Sequence, residues 1–103
     1  MPIKEINELK DSFVKQLSPV RIYLFGSYAK GTNNEESDYD FYIVVNDNEK
    51  DIVNLTAQAY KSIRHKQTRS VDIVVGTQSN FEERKNSATL ENEVINTGVL
   101  IYG

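Results

Sequence analysis

From Ile3 to Leu17 the apolar residues Ile6, Leu9, Phe13 and Leu17 recur at steps of three and four, which marks one face of an amphipathic helix. Pro2 sits where a first helical turn tolerates proline. Ser18-Pro19 ends the run, because the residue before proline is pushed out of helical geometry. Val20 to Phe25 reads as a strand, with Val20, Ile22 and Leu24 on one side and Arg21, Tyr23 and Phe25 on the other. Gly26 to Gly31 is a tight turn opening a short helix, and Thr32 to Ser37 is a polar loop. A second strand runs from about Asp38 to Val45. Asn46, Asp47 and Asn48 form a turn and a helix N-cap. The helix they open, about Lys50 to His65, turns Ile52, Leu55, Ala59 and Ile63 inward. A third strand spans Ser70 to Val75. Gly76 to Ser79 leads into a helical stretch with Leu90, Val94 and Ile95 on one face, Gly98 as its C′ residue and Val99 to Tyr102 as a last short strand.

This order predicts an α/β (α+β) fold, a small mixed β-sheet with helices packed against it. The 103 residues suit one domain, 1–103, with no repeat and no linker. The absence of cysteine excludes disulfides, thiol catalysis and thiolate metal sites. No apolar run reaches membrane-spanning length and the first residues carry no apolar signal-peptide core, so a cytoplasmic location is expected. A net charge of −3 argues against a nucleic-acid substrate gripped by bulk electrostatics. It leaves room for phosphates bridged to carboxylates by divalent cations.

Asp38 and Asp40 lie two apart in an apolar strand, so both side chains are expected on one face. Like charges there repel and lose hydration, and something must compensate them. One reading has Asp38 capping the turn after Ser37 and Asp40 pairing with Lys30, which explains each residue but not the pair. The third strand repeats the anomaly: Val71, Ile73 and Val75 face one way, and Asp72 sits with Val74 on the other. If the strands are adjacent and in register, Asp72 meets the pair, and three convergent carboxylates make a hard-oxygen site of the kind magnesium uses. Gly26-Ser27 follows a strand and opens a helix, where backbone N–H groups can receive a phosphate or where Ser27 simply caps the turn.

Gly-Ser, ten residues, Asp-x-Asp and a further strand Asp together form a pattern that resembles the signature of the nucleotidyltransferase superfamily that includes DNA polymerase beta. A chance Gly-Ser-x10-Asp-x-Asp arises on the order of one time in a thousand in a chain this long. The run Phe25-Gly26-Ser27-Tyr28-Ala29-Lys30-Gly31-Thr32, with Ser37-Asp38-Tyr39-Asp40-Phe41, Val71-Asp72-Ile73-Val74 and Val94 to Tyr102, resembles the minimal nucleotidyltransferase (MNT) branch. One departure is Tyr28, where that branch often carries Arg. The resemblance implies that Asp38, Asp40 and Asp72 hold two magnesium ions, Asp72 favouring deprotonation of the attacking hydroxyl. It implies that Gly26 and Ser27 grip the outer phosphates of ATP, while Lys30 neutralises phosphate or pairs with Asp40. It further implies transfer of AMP to a hydroxyl, with a HEPN-type toxin as the protein acceptor of an MNT antitoxin. Two alternatives stand beside it: a non-catalytic antitoxin that works by occlusion, and a small-molecule nucleotidyltransferase, similar to aminoglycoside-modifying enzymes, with its pocket across a homodimer.

The remaining features read as scaffold. His65 belongs at an exposed helix end. Lys61, Arg64, His65, Lys66 and Arg69 suit a helix C-terminus or an acidic partner. Tyr39 and Tyr42 are core residues or stacking surfaces for a base, and Glu82 to Lys85 form a solvated helix face.

Overall fold

The computed structural model describes residues 2–103. Five helices and four strands follow in the order α1 (Ile3–Leu17), β1 (Arg21–Phe25), α2 (Ser27–Lys30), β2 (Tyr39–Val45), α3 (Ile52–Ile63), β3 (Val71–Thr77), α4 (Gln78–Arg84), α5 (Leu90–Thr97) and β4 (Val99–Tyr102). The sheet order is β3-β2-β1-β4. β2 and β3 run parallel, joined by the α3 crossover, and the other pairs are antiparallel. Among the described residues no helix is long and apolar enough to cross a membrane.

Alternation along the strands sends side chains to two cores, one per face of the sheet. Ile22, Leu24, Tyr39, Phe41, Ile43 and Val45 meet the inward faces of α1 and α3. Tyr23, Phe25, Tyr42 and Val44 meet Phe81 of α4 and Val94 of α5. The expected helical stripe is realised: Ile6, Leu9, Phe13 and Leu17 are buried, and Phe13 packs edge-on against Phe41 at 5.1 Å. On the other face Phe81 stacks on Tyr23 with ring centres 5.4 Å apart.

Several boundaries differ from the pattern-based reading, each for a local reason. The first strand begins at Arg21, and Val20, ahead of the alternation, packs with the Tyr23 side instead of the Ile22 side. Asp51, and not the Asn46–Asn48 turn, caps α3, its carboxylate accepting the Asn54 N–H at 3.0 Å. β3 runs on through Gly76 to Thr77, which pair with Val44 and Val45 of β2, and the missing side chain at Gly76 leaves room for the Tyr42 hydroxyl that a Cβ would strike. The C-terminal helical stretch is two helices, capped by Thr77 and Thr89, whose hydroxyls accept N–H groups of Asn80 and Asn92. Ile95 does not share the buried face of Val94: one residue on, a helix has turned about 100°, and Ile95 is exposed. Gly98 ends α5 in extended backbone, not in the left-handed conformation of a glycine C′ residue. Its lack of a side chain serves space, since a Cβ there would strike the Val94 carbonyl and crowd that of Leu24.

A buried polar contact fixes α5 to the sheet. The Tyr42 hydroxyl donates to Glu91 at 2.7 Å, and Arg84 Nε donates to its other oxygen at 3.0 Å. Arg84 is thus not part of a purely solvated face. Burial works to raise the Glu91 pKa, but the Tyr42 and Arg84 hydrogen bonds outweigh it and hold the carboxyl below its usual value. Tyr42→Phe should therefore cost about 1–3 kcal/mol in a urea melt at neutral pH, as expected for one partner removed from a buried carboxylate. A cost near zero would show that Glu91 does not depend on that hydroxyl.

Candidate active site

The head of β2 is where the sheet gathers the chemistry. Asp40 pairs across the antiparallel ladder with Phe25, the last residue of β1, and across the parallel ladder with Asp72 of β3. The register therefore sets Asp40 and Asp72 side by side on one face, and their carboxyl groups lie within hydrogen-bond reach. Asp38 stands one residue ahead of β2, so the ladder does not fix it. It acts on Asp40 through its charge, as does Glu93 of α5. Among the described residues, no three Asp, Glu, His or Cys side chains are gathered closely enough to hold a metal ion. The convergence expected from the sequence is thus met by the Asp40–Asp72 pair, with Asp38 outside that close contact.

Gly26 explains itself against Asp40. It carries a φ of +75°, which favours glycine, and a Cβ there would overlap Asp40 Oδ2. The backbone at the start of α2 is thereby pressed against the carboxylate. Gly26 is the N-cap and contributes no side-chain cap, while Ser27 is the first helical residue and not the cap. The first N–H groups of α2 are left to a ligand or to solvent. Lys30 pairs with Glu93 at 3.4 Å, not with Asp40. Both side chains are about two-fifths exposed, so the pair is weak.

Asp40 is half-buried, and burial, followed by repulsion from Asp72, Asp38 and Glu93, pushes its pKa up to about 6. No salt bridge among the described residues reaches Asp38, Asp40 or Asp72. The Asp40–Asp72 pair, without a basic partner, offers hard oxygen donors of the kind a divalent cation takes.

Elsewhere the structure divides what the sequence grouped. Lys61, Arg64, His65 and Lys66 are exposed around the end of α3. Arg69 instead lies across the rings of Tyr28 and Tyr39, both buried. Tyr39 and Tyr42 are core residues, their hydroxyls donating to Glu5 and Glu91. Glu93 and Arg69 are the neighbours of the site that sequence reasoning missed. Glu93 lies in an ordinary polar helix pattern, and nothing in the sequence sets it apart.

The profile of the family described as polymerase beta, nucleotidyltransferase, matches residues 7–103. The chain belongs to the polymerase beta nucleotidyltransferase family. Solved structures agree in fold. A toxin–antitoxin complex with AMP-PNP shares 23% identity at a TM-score of 0.56, covering 100% of this chain and 74% of that one. A candidate nucleotidyltransferase from Sulfolobus solfataricus shares 20% at a TM-score of 0.64, covering 94% and 76%. A variant of the toxin–antitoxin MntA–HpeT bearing two aspartate-to-glutamate changes two residues apart shares 21% at 0.57, covering 100% and 74%. No individually curated protein matches this sequence. The resemblance to the MNT branch is thus borne out at the level of family and fold.

The raised Asp40 pKa has a consequence for stability. Unfolding restores the ordinary value of 3.8, so the Asp40 contribution to folding is fully present below that value and is lost as pH rises through about 6. Without divalent cations, Asp40→Asn should gain stability relative to wild type by about 1 kcal/mol between about pH 4 and pH 8, the shift being discounted for solvent screening. Urea melts of both proteins across that range check it, and a difference independent of pH would contradict it.

Proposed function

We propose that this protein is a magnesium-dependent nucleotidyltransferase that moves AMP from ATP to a hydroxyl on a partner protein. The observation that carries the reading is the register of Asp40 with Asp72, beside a Gly26 that can carry no side chain. Asp38, Asp40 and Asp72 would hold two magnesium ions, which when bound stabilise the attacking and leaving oxygens of an in-line displacement. Gly26 and Ser27 bind the outer phosphates through backbone N–H groups and the Ser27 hydroxyl. Lys30, drawn from Glu93, neutralises phosphate. Asp72 accepts the proton of the incoming hydroxyl. The bond from the acceptor oxygen to the α-phosphorus forms, the bond to the bridging oxygen breaks, and pyrophosphate leaves.

A protein acceptor is favoured by what surrounds the carboxylates. Tyr39 and Tyr42, which flank Asp40, are buried in the core, and the depression nearest them, lined by Tyr28, Asn34 and Arg69, belongs to the α1 face of the sheet, behind the carboxylates. We assign the acceptor surface to another chain. Similarity in fold to toxin–antitoxin complexes, one of them solved with AMP-PNP, supports a toxin as that chain. We assign it to the HEPN type, in the cytoplasm.

ATP labelled on the α-phosphate, added with magnesium and the protein to an extract of its source organism, should label one protein band. Asp40→Asn should abolish that label, a loss of at least about a hundredfold for a charge stabilising the transition state, while circular dichroism stays unchanged. Label on a small molecule alone would move the acceptor class to the aminoglycoside-like alternative. Mg-ATP failing to bind at all would favour the non-catalytic occluding module.

A further inference from the structure

Behind the carboxylates, on the α1 face of the sheet, the three segments that supply the site residues are drawn together at one side chain. The Arg69 guanidinium carbon lies 5.4 Å from the ring centre of Tyr28, in α2, and 5.3 Å from that of Tyr39, between Asp38 and Asp40. The two rings are themselves 4.7 Å apart. Arg69 Nη1 donates to the carbonyl of Ser37, the residue before Asp38, at 3.4 Å. Arg69 is also two residues ahead of β3, so its backbone leads directly to Asp72.

The surroundings lock this arrangement from beneath. Glu5 of α1 accepts hydrogen bonds from the Tyr39 hydroxyl and from the hydroxyl and N–H of Thr68. The Tyr39 N–H donates to the Ser70 carbonyl at 3.1 Å. Among the described residues Arg69 Nε is buried with no hydrogen-bond partner. Such a group is costly unless the charge is otherwise held, and the faces of two aromatic rings hold it. A planar guanidinium can lie across two rings and still donate sideways to a carbonyl, which a lysine ammonium cannot reproduce.

We infer that Arg69 is a positioning residue for the carboxylate site, clamping α2, the Ser37–Asp40 segment and the entry to β3 in one relative placement. Its role rests on the reading of the site under Proposed function. It sets where Asp38 and Asp40 stand relative to Gly26 and Asp72.

Backbone amide hydrogen exchange on wild type, R69M and R69K tests this directly. In R69M the Tyr39 and Asp40 amides should exchange roughly tenfold faster, as for a local opening, while Ile22 and Val44 keep their wild-type rates. R69K should restore less than half of the lost protection, and it is the variant read if R69M does not fold. Wild-type rates at Tyr39 and Asp40, or uniform acceleration across the sheet, would overturn the clamp. Full protection in R69K would also overturn it by assigning the effect to charge alone. Binding of Mn2+-ATP, followed by electron paramagnetic resonance on the same proteins, should weaken roughly tenfold in R69M. Wild type that binds no Mn2+-ATP would sink the proposed function instead, leaving the exchange rates to judge Arg69.

Discussion

Two carboxylates held side by side by a β-ladder set the terms for the rest of this molecule. Asp40 and Asp72 are register partners in the parallel pair β2–β3, and backbone hydrogen bonding on both sides of β2 leaves Asp40 little freedom to withdraw. Burial and the charges of Asp72, Asp38 and Glu93 all oppose its ionisation. Coulomb repulsion at such separations is strong once water is partly excluded. A structure that concentrates negative charge this way, with Lys30 turned to Glu93, stores an attraction for a multivalent cation.

The scaffold makes that crowding possible. Apolar side chains cover both faces of β2, with Tyr39, Phe41, Ile43 and Val45 on one side and Tyr42 and Val44 on the other. The core thus positions Asp40 without depending on the carboxylate itself. Gly26 lets the α2 backbone come against Asp40, and Gly76 lets the Tyr42 ring reach Glu91 and anchor α5. Close approach at both points is secured by leaving out a side chain.

The period-two alternation of β2 and β3 made the carboxylates visible in the sequence, because an aspartate in an apolar strand needs a reason. The same alternation could not fix Asp38, which lies just ahead of the strand. It also could not choose the strand register, which only the folded sheet supplies. The α1 stripe was legible because one face is continuously apolar and all four of its predicted residues are buried. The split between α4 and α5 was not, since two threonine caps separated by polar residues look like any other part of a polar stretch. Arg69 was hidden for a related reason: its partners Tyr28, Ser37 and Tyr39 lie far away in the chain, and nothing local distinguishes it from the lysines beside it.

We propose that a divalent cation relieves the unfavourable arrangement of the carboxylate pair. The most direct test is the melting temperature of the protein with magnesium and with a chelator, followed from about pH 8 down to about pH 5. Magnesium should raise the melting temperature at the higher pH, and the increment should fade as pH drops through the Asp40 value of about 6. Identical melting with magnesium and chelator at the higher pH would contradict the claim, as would an increment that does not change with pH.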